Sequence, residues 1–367
     1  MTSASKPGIS TKEGMFMFQN KSRIARVALG ASVIGALALT GCTAPGQERS
    51  TSGAAAAESC SSFKGKTIEL VIPYNAGGGY DVLSRVIIPG IENALDAKVI
   101  PMNKPGAGGL LAINQLTTAP ADGSQIAIVN GTGAAAAILA GAEGPEFGFD
   151  DLSYIGRVAV DDLVVTTNAD SDYQTWEDVM ESDGFRFGST GRGSSDYIVA
   201  NALIKAFDLK NAEVVVGFNS QAETDLALIQ GNVDAIVGPL DSRRTSIESG
   251  ETIAPLSFAD EAPAVAPDAT VFSELDLSAD AQEIIDGINL LTEYGRPLVA
   301  PAGMDEQTRG CLQDALAAAV EDPEVLEQAE KMQRELSYLS GEELATDVVP
   351  AFNELSADFI DMLKASY

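Results

Sequence analysis

The sequence contains no histidine and only three cysteines, Cys42, Cys60 and Cys311, among 367 residues. Without histidine, Ser-His-Asp and Cys-His catalysis and His-ligated zinc sites are excluded, and the cysteine spacing excludes a CxxC metal or redox motif. Basic residues are also scarce, because 23 Lys and Arg stand against 53 Asp and Glu, for a formal net charge of −30. A field of this sign repels polyanions. We therefore expect no nucleic-acid partner, no metal and no cofactor.

Long apolar runs are scarce as well, and the one near the N-terminus covers only residues 27–39. It follows basic residues and ends in Leu39, Thr40, Gly41 and Cys42. A run this short is typical of a signal peptide, because a bilayer span needs about 20 residues. The last four residues resemble a bacterial lipobox. This resemblance predicts a lipoprotein signal peptide over residues 1–41, a lipidated Cys42 and a flexible tether over residues 42–62, with a plain secretory signal as the alternative.

No later segment has 18 uninterrupted apolar residues, so we expect the remaining chain to lie outside the cytoplasm, held at a membrane by the lipid. That compartment permits disulfides. We predict that Cys60 pairs with Cys311, and two buried free thiols are the alternative.

Strand-like and helix-like segments alternate along the chain, which predicts an α/β fold with largely parallel sheets. The predicted strands are residues 68–73, 99–103, 125–130, 163–168, 185–190, 213–218 and 235–238. The predicted helices are residues 81–95, 109–118, 176–182, 195–207, 221–230, 305–320, 323–336 and 341–363. We expect residues 63–157 and 255–367 to form a first domain and residues 158–254 a second, with a small-molecule cleft between them.

Two glycine-rich turns connect a predicted strand to a predicted helix. The first contains Gly77, Gly78 and Gly79, and the second is GSTGRGSS at residues 188–195. Such turns expose backbone N–H groups at the positive end of a helix, where anions bind. Ser194 stands where a phosphate-binding P-loop requires lysine, so nucleotide binding is disfavoured. The turns therefore predict a carboxylate site.

Several motifs together resemble the tripartite tricarboxylate transporter receptors, also called the Bug family. They are IELVIPYNAGGGYDVLSR at residues 68–85, NKPGAGG at 103–109, ADGSQIAIVN at 121–130, GSTGRGSS at 188–195, the segment 216–234 and LVAPAGMDEQ at 298–307. Each motif is modest, but their order and spacing are specific, and the resemblance covers about residue 66 to the end. It implies a two-domain type II periplasmic-binding-protein fold that closes on a small organic acid and presents it to a membrane permease, with no catalysis.

The resemblance also implies a set of ligand-binding residues. They are Tyr74, Gly78, Gly79, Tyr80, Asp81, Ser189, Thr190 and Ser194, with Asn130, Thr132, Phe218, Asn219 and Asp241 as further candidates around the cleft. Arg192 replaces a proline of the family pattern, and it either meets a second carboxylate or is a solvated loop residue. Asp81 either contacts the ligand or only caps its helix.

Two other classes of function compete with a monomeric carboxylate receptor. A structural or adhesive lipoprotein would show no saturable small-molecule binding. A hydrolytic enzyme, or a calcium site, would need paired carboxylates such as Asp161 with Asp162 or Asp150 with Asp151. Adjacent residues on a strand point to opposite faces and neither pair has EF-hand spacing, so the receptor interpretation is favoured.

Overall fold

The computed structural model describes residues 60–367. The predicted signal peptide, the lipidation site Cys42 and most of the predicted tether lie outside the described residues. Within residues 60–367, no helix is long and apolar enough to cross a bilayer.

Two six-stranded sheets divide the described chain into two lobes. The first sheet has the order β12-β4-β11-β3-β1-β2 and the second has the order β10-β9-β5-β8-β6-β7. The first contains β1 Thr67–Ile72, β2 Lys98–Asn103, β3 Gln125–Ile128, β4 Leu152–Arg157, β11 Pro297–Pro301 and β12 Leu339–Ser340. The second contains β5 Leu163–Asn168, β6 Arg186–Ser189, β7 Glu213–Val216, β8 Ala235–Pro239, β9 Thr252–Ser257 and β10 Thr270–Val271.

Each sheet has a parallel part and an antiparallel part. Strands β2, β1 and β3 are parallel in the first sheet, as are β7, β6 and β8 in the second. Beside each trio runs one antiparallel strand, β11 in the first sheet and β5 in the second. The prediction of largely parallel sheets is therefore wrong for β11 and β5. Those strands do not belong to a strand-helix-strand unit, so nothing forces them to be parallel.

Eleven helices are labelled here in chain order. They are α1 Gly79–Leu95, α2 Leu110–Thr117, α3 Gly131–Ala140, α4 Trp176–Met180, α5 Ser195–Ala206, α6 Gln221–Ile229, α7 Leu240–Glu248, α8 Ala279–Tyr294, α9 Glu306–Glu321, α10 Pro323–Lys331 and α11 Ala357–Ser366. Several begin with a side-chain cap, such as Thr175 before α4 and Asp305 before α9.

The lobe boundaries follow from strand pairing. The chain leaves the first sheet after Arg157 and enters the second at Leu163. It stays in the second sheet through β9 and β10, because β9 pairs with β5 and β10 pairs with β9. Strands β9 and β10 therefore belong to the second sheet, and the domain boundary at residue 255 stays a prediction.

The predicted C-terminal helix over residues 341–363 is broken into short pieces. A π-helical turn at Leu344–Val348 precedes a short helix at Val349–Ala351, and a 3₁₀ turn at Phe352–Glu354 separates it from α11. Pro350 lies in this region and has no backbone N–H to continue a helical hydrogen-bond ladder.

Helix α1 shows how burial fixes the first lobe. Leu83, Ile87 and Ile91 lie on its buried face, in one hydrophobic cluster with Leu312 and Leu316 of α9. Fully burying each such side chain stabilises the fold by about 1.5–3 kcal/mol. Cys60 and Cys311 are joined by a disulfide with a Cα–Cα distance of 5.4 Å, so α9 is also tied to the residues before β1.

A second cluster joins the two lobes. It contains residues of both sheets and of α3, α5, α8 and α11, among them Ala135, Val199, Ile288 and Leu363. The helices α3 and α5, one from each lobe, follow Asn130 and Ser194 respectively. This packing holds their N-termini side by side at the boundary between the lobes.

Candidate functional site

A narrow pocket lies between the lobes, where α1 and α3 of the first lobe face α5 and α6 of the second. Its cavity volume is about 20 Å³, so in this structure the pocket has room for about one water molecule. The residues that line it are Tyr74, Asn75, Gly78, Gly79, Tyr80, Asn130, Thr190, Ser194, Ser195, Asp196, Ser220 and Gln221. Seven of these twelve are predicted ligand-binding residues, so the structure brings much of the predicted set together.

The first wall is the glycine turn before α1. Gly77 has φ +87°, a value that glycine adopts without a Cβ clash, and Gly78 occupies the N-cap position without a side-chain cap. The first-turn N–H groups of this 17-residue helix thus meet the pocket without a side-chain acceptor from their N-cap residue. Partial positive charge of about half an elementary unit accumulates at such an end.

Asp81 supports this turn from behind. Its carboxylate accepts the Gly77 N–H at 2.9 Å and the Asn103 amide at 3.0 Å, and it forms an ion pair with Arg85 at 2.9 Å. Burial alone would raise its pKa, but the hydrogen bonds from Arg85, Gly77 and Asn103 lower the pKa below its ordinary value. Asp81 is predicted as a ligand contact, yet it lies outside the pocket lining, with its oxygens bound to these groups.

Tyr74 and Asn130 form a buried polar pair at the back of the pocket. The Tyr74 hydroxyl donates to the Gly108 carbonyl at 2.9 Å and accepts from the Asn130 amide nitrogen at 2.7 Å. The Asn130 amide oxygen accepts the Gly133 N–H at 3.1 Å and so caps α3. Burial raises the pKa of Tyr74 far above its ordinary range, so the hydroxyl stays protonated.

The second wall is the loop before α5, and it already holds a carboxylate of the protein itself. Asp196 accepts hydrogen bonds from the Ser189 hydroxyl at 3.1 Å and from the Thr190 N–H at 2.9 Å. Its carboxylate also accepts from the Ser194 hydroxyl and from the Tyr197 N–H at 2.8 Å. The hydroxyls expected to hold a ligand carboxylate are therefore directed at Asp196.

Asp196 is buried, with 7% of its surface exposed. Burial raises its pKa above the ordinary value, although the hydrogen bonds from Ser194, Thr190 and Ser189 act in the opposite direction. Ser189 itself is fully buried behind this carboxylate and does not line the pocket. The predicted role of the loop hydroxyls in ligand binding stays a prediction, since in this structure they donate to Asp196.

Close approaches join the two lobes around the pocket. A Cβ atom built on Gly79 would lie 2.4 Å from the Ser242 hydroxyl of the second lobe, and one on Gly108 would lie 2.6 Å from the Gly193 backbone. The Asn75 amide also donates to the Asn219 carbonyl at 3.2 Å. The structure therefore shows the lobes in contact on both sides of the pocket.

Behind Tyr80 lies a buried ion-pair cluster at the crossing between the lobes. The guanidinium of Arg296 lies 5.0 Å from the centre of the Tyr80 ring, 2.6 Å from an Asp161 oxygen and 3.2 Å from Asp241. Arg334 pairs with the same Asp241 at 3.0 Å. Burial would raise the pKa of Asp241, but the two guanidiniums hold it well below the ordinary range. Burial dominates at Asp161 and raises its pKa despite Arg296.

Five predicted residues besides Asp81 and Ser189 fall outside the pocket. Thr132 is buried inside α3, where its hydroxyl donates to the Leu291 carbonyl at 3.4 Å. Arg192 donates to the main-chain oxygen of Tyr367, and its contact with a second ligand carboxylate stays a prediction. Asp241 belongs to the ion-pair cluster and lines a separate pocket of about 260 Å³. Phe218 and Asn219 line a neighbouring pocket, together with Tyr74 and Thr190.

Five pocket residues escape the sequence prediction: Asn75, Ser195, Asp196, Ser220 and Gln221. Ser220 and Gln221 had a detectable signal, because Ser220 followed by Glu223 is the pattern of a helix N-cap. The only sequence signal for Asp196 was its position in the first turn of a predicted helix, where acidic residues are common. Within the described residues, no three Cys, Asp or Glu side chains come together in a way that would hold a metal.

Comparisons with known proteins agree with this architecture. The family model described as the tripartite tricarboxylate transporter family receptor matches residues 83–348. A Cupriavidus necator protein, "UPF0065 protein in gbd 5'region", is 26% identical over 291 residues, which are 77% of this chain and 83% of that protein. An Agrobacterium vitis relative of the same UPF0065 group is 23% identical over 74% of this chain and 76% of its own.

Solved structures show the same fold. Periplasmic binding protein BugD aligns with a TM-score of 0.67 at 19% identity, covering 82% of this chain and 97% of BugD. MatC from Rhodopseudomonas palustris, solved with bound malate, aligns with a TM-score of 0.65 at 19% identity, covering 82% of this chain and 99% of MatC. A further R. palustris protein, solved with adipate, has a TM-score of 0.67 at 16% identity over 82% of this chain and 97% of its own.

These likenesses confirm the predicted two-domain α/β fold of periplasmic binding proteins. The family consists of extracytoplasmic solute receptors rather than enzymes, which decides against the hydrolase interpretation. Since the family model covers most of the described chain, this protein belongs to the tripartite tricarboxylate transporter receptor family.

Proposed function

We propose that this receptor binds a small organic acid through its carboxylate in the pocket between the lobes and delivers it to a tripartite tricarboxylate transporter-type permease. One observation carries the proposal: two helices, α1 with 17 residues and α5 with 12, have N-cap residues that form no side-chain cap, and both N-termini border the same pocket. Helix N-termini of this kind favour anions through their N–H groups and their dipoles.

The carboxylate sits at the α1 end in this proposal. Gly79 and Tyr80 supply backbone N–H groups in the first turn of α1, and the hydrogen-bonded pair of Tyr74 and Asn130 lines the pocket beside them. Asp196 occupies the N-terminus of α5, so the dipole of α5 acts on the ligand only from a distance. The malate and adipate bound by two structural neighbours support an acid as the solute.

Cys42 anchors the receptor through a lipid in this proposal, since the segment before it has the order of a lipoprotein signal peptide. Two signals are needed for stable anchoring by acyl chains, which a diacylated N-terminal cysteine provides. The receptor acts as a monomer. Mass spectrometry of the mature chain should find acyl groups on Cys42, and Cys42→Ser should release the protein from the membrane.

Isothermal titration calorimetry tests ligand binding. The full chain, purified in a mild detergent and stripped of any retained ligand by reversible unfolding, is titrated with mono-, di- and tricarboxylates, amino acids and neutral amides. We expect saturable binding of at least one acid and no binding of the neutral amides. The absence of binding for every acid would favour a structural or adhesive lipoprotein instead.

A matched pair of glycine variants tests the location of the site. Gly79→Ala places a methyl group against Ser242 at the mouth of the pocket, whereas Gly310→Ala adds one on α9, where nothing lies within 4 Å. We expect Gly79→Ala to weaken acid binding by about tenfold or more, because overpacking costs about 1–3 kcal/mol. Equal affinities for the two variants would contradict this site.

A further inference from the structure

The charges around the pocket restrict which acid it accepts. None of the described residues that line the pocket is Lys or Arg, and Asp196 is the one charged side chain among them. Where a site contains no cation, the bound anion is held only by backbone N–H groups and helix dipoles. This is enough for one carboxylate at a helix N-terminus. Such a site offers no paired charge for a second one.

Two cations near the pocket are already paired with carboxylates of the protein. Arg296 lies behind the Tyr80 ring and is paired with both Asp161 and Asp241. Arg85 pairs with Asp81 on the outer side of the glycine turn. Neither guanidinium lines the pocket. A ligand therefore gains little electrostatic attraction from these two guanidiniums, because the carboxylates that they contact balance their charge.

The internal carboxylate occupies the place that a second ligand carboxylate would need. The donors of the second loop, which are the Ser189 hydroxyl, the Thr190 N–H and the Ser194 hydroxyl, all point to Asp196. A further anion on this side would meet a buried negative charge and no free donor from these groups. Like charges in a buried site repel strongly because the local dielectric is low.

The charges at the pocket already balance before a ligand enters, because the two helix N-termini supply about half a positive unit each and Asp196 supplies one negative unit on the α5 side. One ligand carboxylate at the α1 end leaves a net charge of about −1, and a second anionic group would raise the excess to about −2. Beyond the α1 terminus, the wall consists of the Tyr74 and Tyr80 rings, whose centres are 4.9 Å apart. Aromatic faces suit an uncharged portion of a ligand better than an anionic one.

We infer that the solute carries one carboxylate and no second anionic group, as in a monocarboxylic acid or a zwitterionic amino acid, in preference to di- and tricarboxylates. This inference rests on the proposed function, because it specifies the acid that the same pocket takes.

Matched ligand pairs test the inference by calorimetry on the stripped full chain. Succinate is compared with its monoamide, and aspartate with asparagine, since each pair differs by a single negative charge at nearly constant size. We expect the singly charged member to bind at least about tenfold more tightly in each pair. Comparing asparagine with succinamate then separates the amino acid from the plain monocarboxylic acid.

Two charge variants extend the test, and one control accompanies them. Asp196→Asn removes the internal charge, and Gln221→Lys adds a cation to the pocket lining. Either variant should shift the preference toward the diacid by about tenfold, and Gln221→Lys keeps the test valid where loss of Asp196 disturbs the loop. Gln230→Lys adds the same charge at the exposed end of α6 and should leave the preference unchanged.

Tighter binding of succinate than of its monoamide, unchanged by both charge variants, would overturn the inference while leaving the receptor function intact. Binding of no acid in the wider panel of mono-, di- and tricarboxylates and amino acids would instead count against the proposed function itself.

Discussion

The two glycine-rich turns have the same place in their lobes but hold different partners. Each follows a parallel strand, β1 or β6, and each leads into a helix whose N-cap residue makes no side-chain cap. In the first turn, Asp81 points away from the pocket and pairs with Arg85. In the second, Asp196 turns inward and collects the hydroxyls and N–H groups of the loop. The two turns therefore differ in the direction that the aspartate of the first helical turn takes.

A glycine-rich turn therefore predicts that an anion lies there, but not whether the anion is a ligand or a side chain of the protein itself. Both aspartates stand in the first turn of a helix, where the dipole stabilises them. Asp81 has a cation within reach and Asp196 has none among its hydrogen-bond partners. Their pKa values shift in opposite directions accordingly, downward for Asp81 and upward for Asp196.

The largest expected effect comes from crowding the second turn. Gly193→Ala would place a methyl group 2.5 Å from Leu110 and 2.6 Å from the Ala107 carbonyl, both of the first lobe. We expect this to oppose contact between the lobes by about 1–3 kcal/mol and to weaken ligand binding roughly ten- to hundredfold. Calorimetry measures the affinity, with Gly310→Ala as the control. An unchanged affinity would mean that the second turn is not a closing surface.

The next effect separates stability from binding in the second turn. Ser189→Ala removes a fully buried hydroxyl that donates to Asp196. We expect a loss of about 1–2 kcal/mol in the free energy of unfolding, measured in urea, because a buried acceptor loses a donor. Ligand affinity should stay within about twofold, since the hydroxyl serves Asp196. A tenfold loss of affinity at unchanged stability would show that Ser189 binds the ligand directly.

The pH dependence of stability should differ in sign for the two aspartates. The pKa of Asp81 is lowered from 3.8, so its stabilisation is present above that value and is lost as the pH falls through the folded pKa. The pKa of Asp196 is raised from 3.8, so its contribution falls as the pH rises above that value. Relative to the wild type, Asp196→Asn should become more stable with rising pH in that window, and Asp81→Asn less stable with rising pH below 3.8.

Urea titrations between about pH 3 and pH 7 measure both variants against the wild type, with each difference taken at the same pH. Taking differences removes the contributions of other shifted carboxyls such as Asp161 and Asp162. Parallel curves for the two variants would contradict the opposite environments of the two aspartates.

The smallest expected effect is at Arg192, on the outer side of the second turn. Its guanidinium contacts the Tyr367 carbonyl and lies 5.7 Å from the centre of the Tyr197 ring. We expect Arg192→Ala to change stability by no more than about 0.5–1 kcal/mol and to leave the affinity for every acid within about twofold. A selective loss of diacid binding would restore its predicted role as the partner of a second carboxylate.

Much of the fold follows from local sequence pattern. Strands β1, β2, β5 and β7 were predicted within two residues at each end, because their apolar runs are flanked by turn residues. Helix α3, with the sequence GTGAAAAILA, was missed since small residues give little amphipathic contrast and two glycines disfavour a helix. Its position between α5 and α8 stabilises it, and that information is absent from its own residues.

The sequence by itself determined the class of the protein. It has no histidine for catalysis and too little positive charge to bind nucleic acid, its two glycine-rich turns suit an anion, and its motifs follow the order of the family. The tertiary structure decided which groups meet. It brought Asp196 onto the loop hydroxyls, buried Thr132 against α8 and drew Asp241 into the cluster around Arg296. Propensity and periodicity act over neighbouring residues, whereas hydrogen bonds and ion pairs form between residues that only the packed chain brings within about 3 Å.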